Sequence, residues 1–441
     1  MVGLGISGAA VARAVARRGG QVVVVEDDPG EAARNRAEEL TGVGVEVVER
    51  PGRDGLDRLV RSAELVVPSP GVPPRHQVFA LAQAAGRPVM GEVELASRWT
   101  ERPIVAITGT NGKTTVTGLV TDMLVASGKA AVAAGNIGLP LVEAVATDAE
   151  VLVVEVSSFQ LELTDTFHPA VAVWLNLAPD HLDWHPDLSA YGRAKARIWR
   201  RQGPDDAAVV NAEDPAVMEW AAEAPSRVVT FGVHEGDYRV VVGGLRAATG
   251  QEIIRTDELR RALPHDLANA LAASAAAVAA GADLDGVRRA LAGWDGFPHR
   301  VTLVGEAGGV RWFDDSKATN PHATAAAVRG FDSVVLVAGG RNKGLDLRSL
   351  TAEADRVKAV VAIGESAGEV EAAFADVRPV TRASSMDEAV RAAAILAAPG
   401  DSVLLSPGCA SFDWYGSYAE RGDDFRRAVN ALLSEEPGAD G

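Results

Sequence analysis

Apolar residues in this chain come in short, nearly unbroken runs, each followed at once by glycine or polar residues and then by a longer stretch with helical spacing. Such runs lie at residues 104–107, 151–154 and 171–175, and again at 310–313, 334–337 and 403–405. Runs without polar alternation predict strands buried on both faces, as in a parallel sheet covered by helices, with functional groups gathered at the C-terminal strand ends. The predicted class is therefore α/β, built from several alternating units. Residues 268–282 are alanine-rich but contain Asn269 and Ser274, which predicts a buried helix and not a membrane span.

The first run leads into Gly109-Thr-Asn-Gly-Lys-Thr-Thr115. A glycine-rich turn entering a helix aims backbone N–H groups and the positive helix end at an anion. Lys113 is then placed to reach phosphate oxygens, and a threonine hydroxyl to ligate Mg²⁺. The general phosphate loop would need glycine at 107, where Ile107 stands, so this is a shorter variant running from Gly109 to Thr114. The second run delivers Glu155-Val-Ser-Ser-Phe-Gln160, and the third delivers Asn176 and then Asp180-His-Leu-Asp183. Glu155 is a candidate Mg²⁺ ligand beside Thr114, the other reading being a helix cap or arginine partner. His181 is a candidate for metal ligation or proton transfer, or a structural residue. Lys195, among Arg193, Arg197 and Arg200, reads locally as part of a solvated face.

The amino-terminal stretch Gly3-Leu-Gly-Ile-Ser-Gly8, an apolar helix to about residue 18 and a strand ending in Glu26 make a dinucleotide-binding fingerprint. Its preceding strand is reduced to Met1 and Val2, and Asp27 and Asp28 crowd the strand end. NAD, another ligand and a purely structural turn all stay open here. Either translation starts further upstream or the first strand is stunted. A second turn, Pro68-Ser-Pro-Gly-Val72, falls at the same sheet edge. In the last third, Asp314-Asp-Ser-Lys-Ala-Thr-Asn320, Gly339-Gly-Arg-Asn-Lys343 and Ser406-Pro-Gly-Cys-Ala-Ser-Phe412 follow the later strands. Arg300, Lys317 and Lys343 are cations at turns, suited to carboxylates or developing phosphate charge. With a nucleotide turn, they suggest ATP used to activate an acid.

Composition narrows the field. The 441 residues allow about three domains, and 47% apolar content supplies their cores. A net charge of −17 without a basic stripe argues against nucleic acid as a partner. Cys409 is the single cysteine, which excludes an internal disulfide framework and fits a reducing compartment. With no signal-like segment after Met1 and no membrane insertion expected, the expected location is cytoplasmic. The tail 435–441 is expected to fray.

Together, Gly109–Thr114, Glu155-Val-Ser-Ser-Phe-Gln-Leu-Glu162, Asp180-His-Leu-Asp183, Asp315-Ser-Lys-Ala-Thr-Asn320 and Leu405-Ser-Pro-Gly-Cys-Ala-Ser-Phe-Asp413 resemble the Mur ligases of peptidoglycan synthesis over essentially the whole chain. The Ser-Ser-Phe-Gln and Ser-Pro-Gly-Cys-Ala-Ser elements are similar to those of the branch that adds D-glutamate. This resemblance implies three domains: a Rossmann-like substrate domain over residues 1–91, a central P-loop ATPase-type parallel-sheet domain over 92–296, and a Rossmann-like amino-acid domain over 297–441. It implies a monomeric ATP-dependent amide ligase serving cell-wall synthesis, and so cell shape and division. Its substrates would be ATP, D-glutamate and UDP-N-acetylmuramoyl-L-alanine, joined through an acyl phosphate. A sibling Mur ligase or a folylpolyglutamate synthetase-like enzyme is the alternative; an NAD oxidoreductase and a non-catalytic nucleotide binder are more distant rivals.

By the same resemblance, Ile6, Ser7, Glu26, Ser69 and Gly71 would meet the UDP end of the substrate, and Asn136 and His181 its muramoyl-alanine end. Gly109, Thr110, Asn111, Gly112, Lys113, Thr114 and Thr115 would hold the ATP phosphates, Arg300 would approach them, and Asn269 and Lys317 would face adenine and ribose. Thr319, Lys343, Ser411, Phe412 and Tyr418 would surround D-glutamate. Lys113, Glu155, His181 and Lys195 would be the catalytic set. Two Mg²⁺ ions are implied, held by Thr114, Glu155, His181 and a carbamylated Lys195. That implication reverses the local reading of Lys195: an ammonium, with its reference pKa of about 10.4, would repel Mg²⁺, whereas its CO₂ adduct is an anionic oxygen ligand. Asp266 stands where the family commonly has asparagine, and Asp28 where some members have arginine.

Overall fold

The computed structural model describes residues 1–182 and 184–435; Asp183 and the tail expected to fray beyond Glu435 lie outside the described residues. The chain gathers into two compact units, one formed by Met1–Leu177, Ser189–Leu259 and Ala268–Gly293, the other by Ala178–Leu188, Arg260–Leu267 and Trp294–Gly441.

The first unit is built on a six-stranded parallel sheet in the order Ala131–Gly135, Val151–Glu155, Ile104–Thr108, Val171–Trp174, Ala207–Asn211, Arg227–Phe231. The three runs read as doubly buried strands are buried at every residue. The strand Ile104–Thr108 has Val151–Glu155 on one side and Val171–Trp174 on the other. Its C-terminal end therefore opens where the chain changes sides, the place where open α/β sheets bind ligands. Trp174 and Phe167 fill a core that also takes in Ala10, Val11 and Ala14 of the amino-terminal helix Ile6–Arg17.

Ahead of the first turn, Val2 bridges Val25 and Pro68, while Val23–Glu26 pairs with Glu46–Glu49. Residues 65–67, just before that second turn, contribute only a bridge between Val66 and Val89. Pro68 and Pro70 follow it and have no N–H to continue a ladder. A three-stranded antiparallel sheet, Glu252–Arg255, Gly244–Arg246 and Arg239–Val241, completes this unit's strands.

The second unit has a six-stranded sheet in the order Thr302–Ala307, Val310–Asp314, Ser402–Leu405, Val334–Gly339, Val357–Ile363, Val380–Arg382, antiparallel only at its first pair. The pleat of Val334–Gly339 sends Val334, Leu336 and Ala338 into one core and Val335 and Val337 into the other. No helix among the described residues is long and apolar enough to cross a membrane.

Two glutamates of the short helix Glu92–Ser97 show what partners do for a buried carboxylate. Glu94 accepts from the N–H groups of Asp165, Thr166 and Phe167 at 2.9–3.0 Å and pairs with Arg98. Burial alone would raise its pKa, but the Thr166, Asp165 and Arg98 bonds hold it below the usual value. Glu92 accepts from Val142 N–H at 2.8 Å on Oε1, and its Oε2 is buried without a hydrogen-bond partner. Burial pushes Glu92 up to about 7. A carboxyl whose folded pKa is raised costs nothing below its unfolded pKa, and it destabilises the fold progressively as pH rises from there to the folded value. The shift from 4.5 to about 7 corresponds to a loss on the order of 3 kcal/mol. Glu92→Gln should therefore flatten the fall in stability between pH 4.5 and about pH 7, measured as melting temperature against pH; an unchanged slope would refute the assignment.

Candidate active site

At the end of Ile104–Thr108 the chain turns through Gly109 and Gly112 into the helix Lys113–Ala126. Gly112 holds φ +85°, and a Cβ there would lie 2.6 Å from Asn269 Oδ1. Asn269, expected at the nucleotide base, thus packs directly on the phosphate turn. Asn176 fixes the turn from the neighbouring strand end: its Oδ1 accepts from Asn111 N–H at 2.8 Å, its Nδ2 donates to Asn111 O at 3.1 Å, and its carbonyl accepts from Thr110 N–H at 3.0 Å. Asn176 follows an apolar run directly, which was the signal for it, although nothing near it in the chain indicated that it would bracket the turn.

Lys113 curls over this turn, donating to the carbonyls of Gly109 at 2.9 Å and Thr110 at 3.0 Å. Glu155, 2% exposed, accepts from Thr114 Oγ1 at 2.9 Å and from Asn136 Nδ2 at 2.8 Å. The carboxylate is thus a hydrogen-bond partner of Thr114 and not a helix cap. The cap is supplied by Ser157 and Gln160, which form a reciprocal capping box at the helix Ser158–Glu162.

Lys195 corrects the local reading of its sequence. It is 1% exposed, on the inner face of the helix Leu188–Ala196. Its Nζ donates to Gly109 O at 2.9 Å, lies 3.4 Å from Thr108 Oγ1 and sits 4.4 Å from the centre of the Tyr191 ring. The arginines of this stretch do not share that environment: Arg193 and Arg200 are exposed, and Arg200 pairs with Asp165. Two ammonium groups, those of Lys113 and Lys195, therefore meet one carbonyl of the phosphate turn.

A second feature of this unit is a cavity of about 640 Å³ lined by residues 3–7, 26–28, 69–73 and 135–138, with His76, Pro140 and Gln160. Ile6, Ser7, Glu26, Ser69, Gly71 and Asn136 all line it. Glu26 is committed to its own turn, accepting from Leu4 N–H at 2.6 Å and Asp28 N–H at 2.9 Å. Ser69 Oγ donates to Gly3 O at 2.9 Å. His76, not anticipated from the sequence, accepts Val78 N–H on Nδ1 and so presents Nε2–H to Asp27, 2.7 Å away. Asn136 belongs both to this cavity and to the Glu155 cluster.

In the second unit, His181 has φ +54°, and its N–H is accepted by Asp180. Asp180 also accepts from Asn320 Nδ2 at 3.0 Å, so two of the motifs meet. Lys317 Nζ lies 3.7 Å from the Tyr418 ring centre. Ser316 Oγ donates to Tyr418 O at 2.7 Å, and the buried Arg421 donates to Ser316 and to Cys409 O. Burial lowers the Arg421 guanidinium to about 10. Backbone bonds between Arg341 and Ala410 hold the turn carrying Lys343 against the one carrying Ser411. Ser411 is buried, Thr319 and Lys343 are half-buried, and Phe412 is exposed. Asp315, buried and bonded to Ser406 at 2.7 Å, is pushed up to about 7 by burial.

The described residues hold no group of three or more His, Cys, Asp or Glu side chains arranged for a metal ion. One carboxylate and one hydroxyl, Glu155 and Thr114, nevertheless suit Mg²⁺, which keeps several waters and takes its remaining oxygens from phosphates.

A lysine-bearing phosphate turn at the switch point of a parallel sheet, followed by a second α/β sheet with polar strand ends, is the architecture of the Mur ligases. The Mur ligase middle domain matches residues 107–277, and the Mur ligase, glutamate ligase domain matches residues 299–409. The chain is 47% identical to the UDP-N-acetylmuramoylalanine–D-glutamate ligase of Frankia casuarinae, over 98% of this chain and 93% of that protein, and 44% identical to the enzyme of the same name from Desulfosudis oleivorans, over 98% and 96%. It belongs to the UDP-N-acetylmuramoylalanine–D-glutamate ligase family. Among solved structures its fold is similar to that of the UDP-N-acetylmuramate-alanine ligase of Thermotoga maritima (TM-score 0.59, 20% identity, 99% of each chain). It is also similar to a pseudomurein peptide ligase of Methanothermus fervidus (TM-score 0.63, 17% identity, 98% and 99% of the two chains).

Gly112→Ala would strain a left-handed backbone and drive a methyl group into Asn269. A loss of about 1–3 kcal/mol is expected, read by chemical denaturation. An unaffected midpoint would show that the turn tolerates a side chain there.

Proposed function

We propose that this protein ligates D-glutamate to UDP-N-acetylmuramoyl-L-alanine, driven by cleavage of ATP to ADP and phosphate. Near-full-length identity to ligases of that name carries the reading, and the phosphate turn joined to Glu155 and Asn136 supports it. A folylpolyglutamate synthase-like activity is disfavoured, because the relatives 47% and 44% identical over 98% of this chain carry the D-glutamate ligase name. The fingerprint near Gly3 is read as a turn for the UDP diphosphate and not for NAD.

In the proposed division of labour, residues 1–91 hold the UDP end, 92–296 the ATP and 297–441 the amino acid, in a cytoplasmic monomer. The alanine carboxylate attacks the γ-phosphorus of ATP, ADP leaves, and an acyl phosphate forms. The D-glutamate amine then attacks the acyl carbon, inorganic phosphate departs and the amide remains. Lys113 exchanges the Gly109 and Thr110 carbonyls for phosphate oxygens. Thr114 and Glu155 would hold one Mg²⁺, with His181 and a carbamylated Lys195 serving a second. When bound, these ions neutralise charge on the transferring group. Lys195 would become a ligand by attack of its neutral amine on CO₂ with loss of a proton, giving up its donation to Gly109 O. Asn136 and His181 orient the muramoyl-alanine end. Arg300 approaches the phosphates, with Asn269 and Lys317 at adenine and ribose. Thr319, Lys343, Ser411, Phe412 and Tyr418 receive D-glutamate.

Purified protein with ATP, Mg²⁺ and UDP-N-acetylmuramoyl-L-alanine should release phosphate with D-glutamate but not with L-glutamate or a diamino acid; release with either of the latter instead would sink the reading. Lys195→Ala should lower turnover at least about 100-fold. Full activity of that variant, with no response of the parent to bicarbonate, would exclude the carbamate.

A further inference from the structure

Arg300 sits between two residues in the left-handed region, His299 at φ +60° and Val301 at φ +47°. For a β-branched valine this conformation is an outlier that persists only where surrounding contacts enforce it, and such strain gathers at functional sites. Here the contacts are explicit. Arg261 Nη2 donates to Arg300 O at 2.9 Å and Nη1 to Val301 O at 3.2 Å. The other flank is held by His299, whose carbonyl accepts from Lys317 N–H at 3.1 Å and whose Nδ1 lies 2.6 Å from the fully buried Asp314.

Arg261 is itself aimed. Asp266 Oδ1 accepts from its Nε and Nη2, both at 3.3 Å, with the two side chains only 14% and 11% exposed. Gly296 packs on the same side chain: a Cβ there would stand 3.0 Å from Arg261 Cδ and Nε and 3.1 Å from Cζ. The Asp266 carboxylate thus has a partner within its own unit. An asparagine at this position would offer Arg261 a neutral acceptor in place of a charged one.

We propose that Arg261, oriented by Asp266, is a positioning residue: by holding the consecutive carbonyls of Arg300 and Val301, it fixes the strained loop from which Arg300 reaches the nucleotide phosphates. The inference rests on the reading of Arg300 as a phosphate contact. Arg261 touches no reacting atom; it acts through Arg300, so its removal should be equivalent to misplacing Arg300.

A double-mutant cycle on the full chain tests this, with calorimetric titration of a non-hydrolysable ATP analogue and Mg²⁺. Arg300→Gln and Arg261→Gln should each weaken binding roughly tenfold, and the double variant should be no weaker than Arg300→Gln alone. Losses that multiply in the double variant, or wild-type affinity in Arg261→Gln, would overturn the proposal. Should Arg261→Gln fail to fold, Asp266→Asn serves in its place. It should weaken binding about two- to fivefold, again without adding to Arg300→Gln, and keep the parent melting temperature. An additive loss in that variant also refutes the coupling. If Arg300→Gln itself binds normally, both the phosphate role of Arg300 and this inference fall, while D-glutamate-dependent phosphate release by the parent protein tests the ligase reading separately.

Discussion

A carboxylate buried at the end of a parallel strand is tolerated only when donors come to it, because an unpaired buried charge costs several kcal/mol. Glu155 imposes that condition on the first unit. Its two oxygens are met by Thr114, from the phosphate turn, and by Asn136, from the neighbouring strand end. One buried anion thereby ties together the ends of three adjacent strands. Since Asn136 also lines the cavity of about 640 Å³, the same interaction joins the phosphate turn to that cavity.

The phosphate turn shows a second layer of constraint. Its backbone is bracketed by the Asn176 amide, its glycine at 112 leaves room for Asn269, and its Gly109 carbonyl takes two ammonium groups. A turn so heavily restrained holds its N–H groups in place before any anion arrives, and preorganised dipoles do not have to be reordered when charge develops. Glu92, at the opposite extreme, keeps an unpartnered oxygen and a raised pKa, whereas Glu94 two residues on is fully satisfied. Burial is common to both; the Thr166 hydroxyl and the Arg98 guanidinium, added to the backbone N–H donors, set Glu94 apart.

Much of this was legible from residue order. The apolar runs gave the buried strands because period-free hydrophobicity is what a sheet covered on both faces requires. The turns that follow them carried the candidate groups because strand ends in such sheets are polar and open. Lys195 was misread locally, since three arginines around it suggested a solvated face; helical geometry turned the lysine inward while Arg193 and Arg200 point out. Arg261 and the His76–Asp27 pair gave no local signal at all. Each is defined by a partner far away or by a backbone carbonyl, neither of which leaves a mark in nearby sequence.

By itself, then, the sequence determined the class of the fold, the strand-end position of the phosphate turn and the family, because these depend on periodicity and on short motifs whose chemistry is local. Tertiary structure alone decided that Glu155 pairs with Thr114 and Asn136, that Lys195 is buried on the turn, and that Asp266 serves Arg261. Those outcomes depend on where separate strand ends and loops converge, and on whether a buried polar atom finds a donor once they have done so.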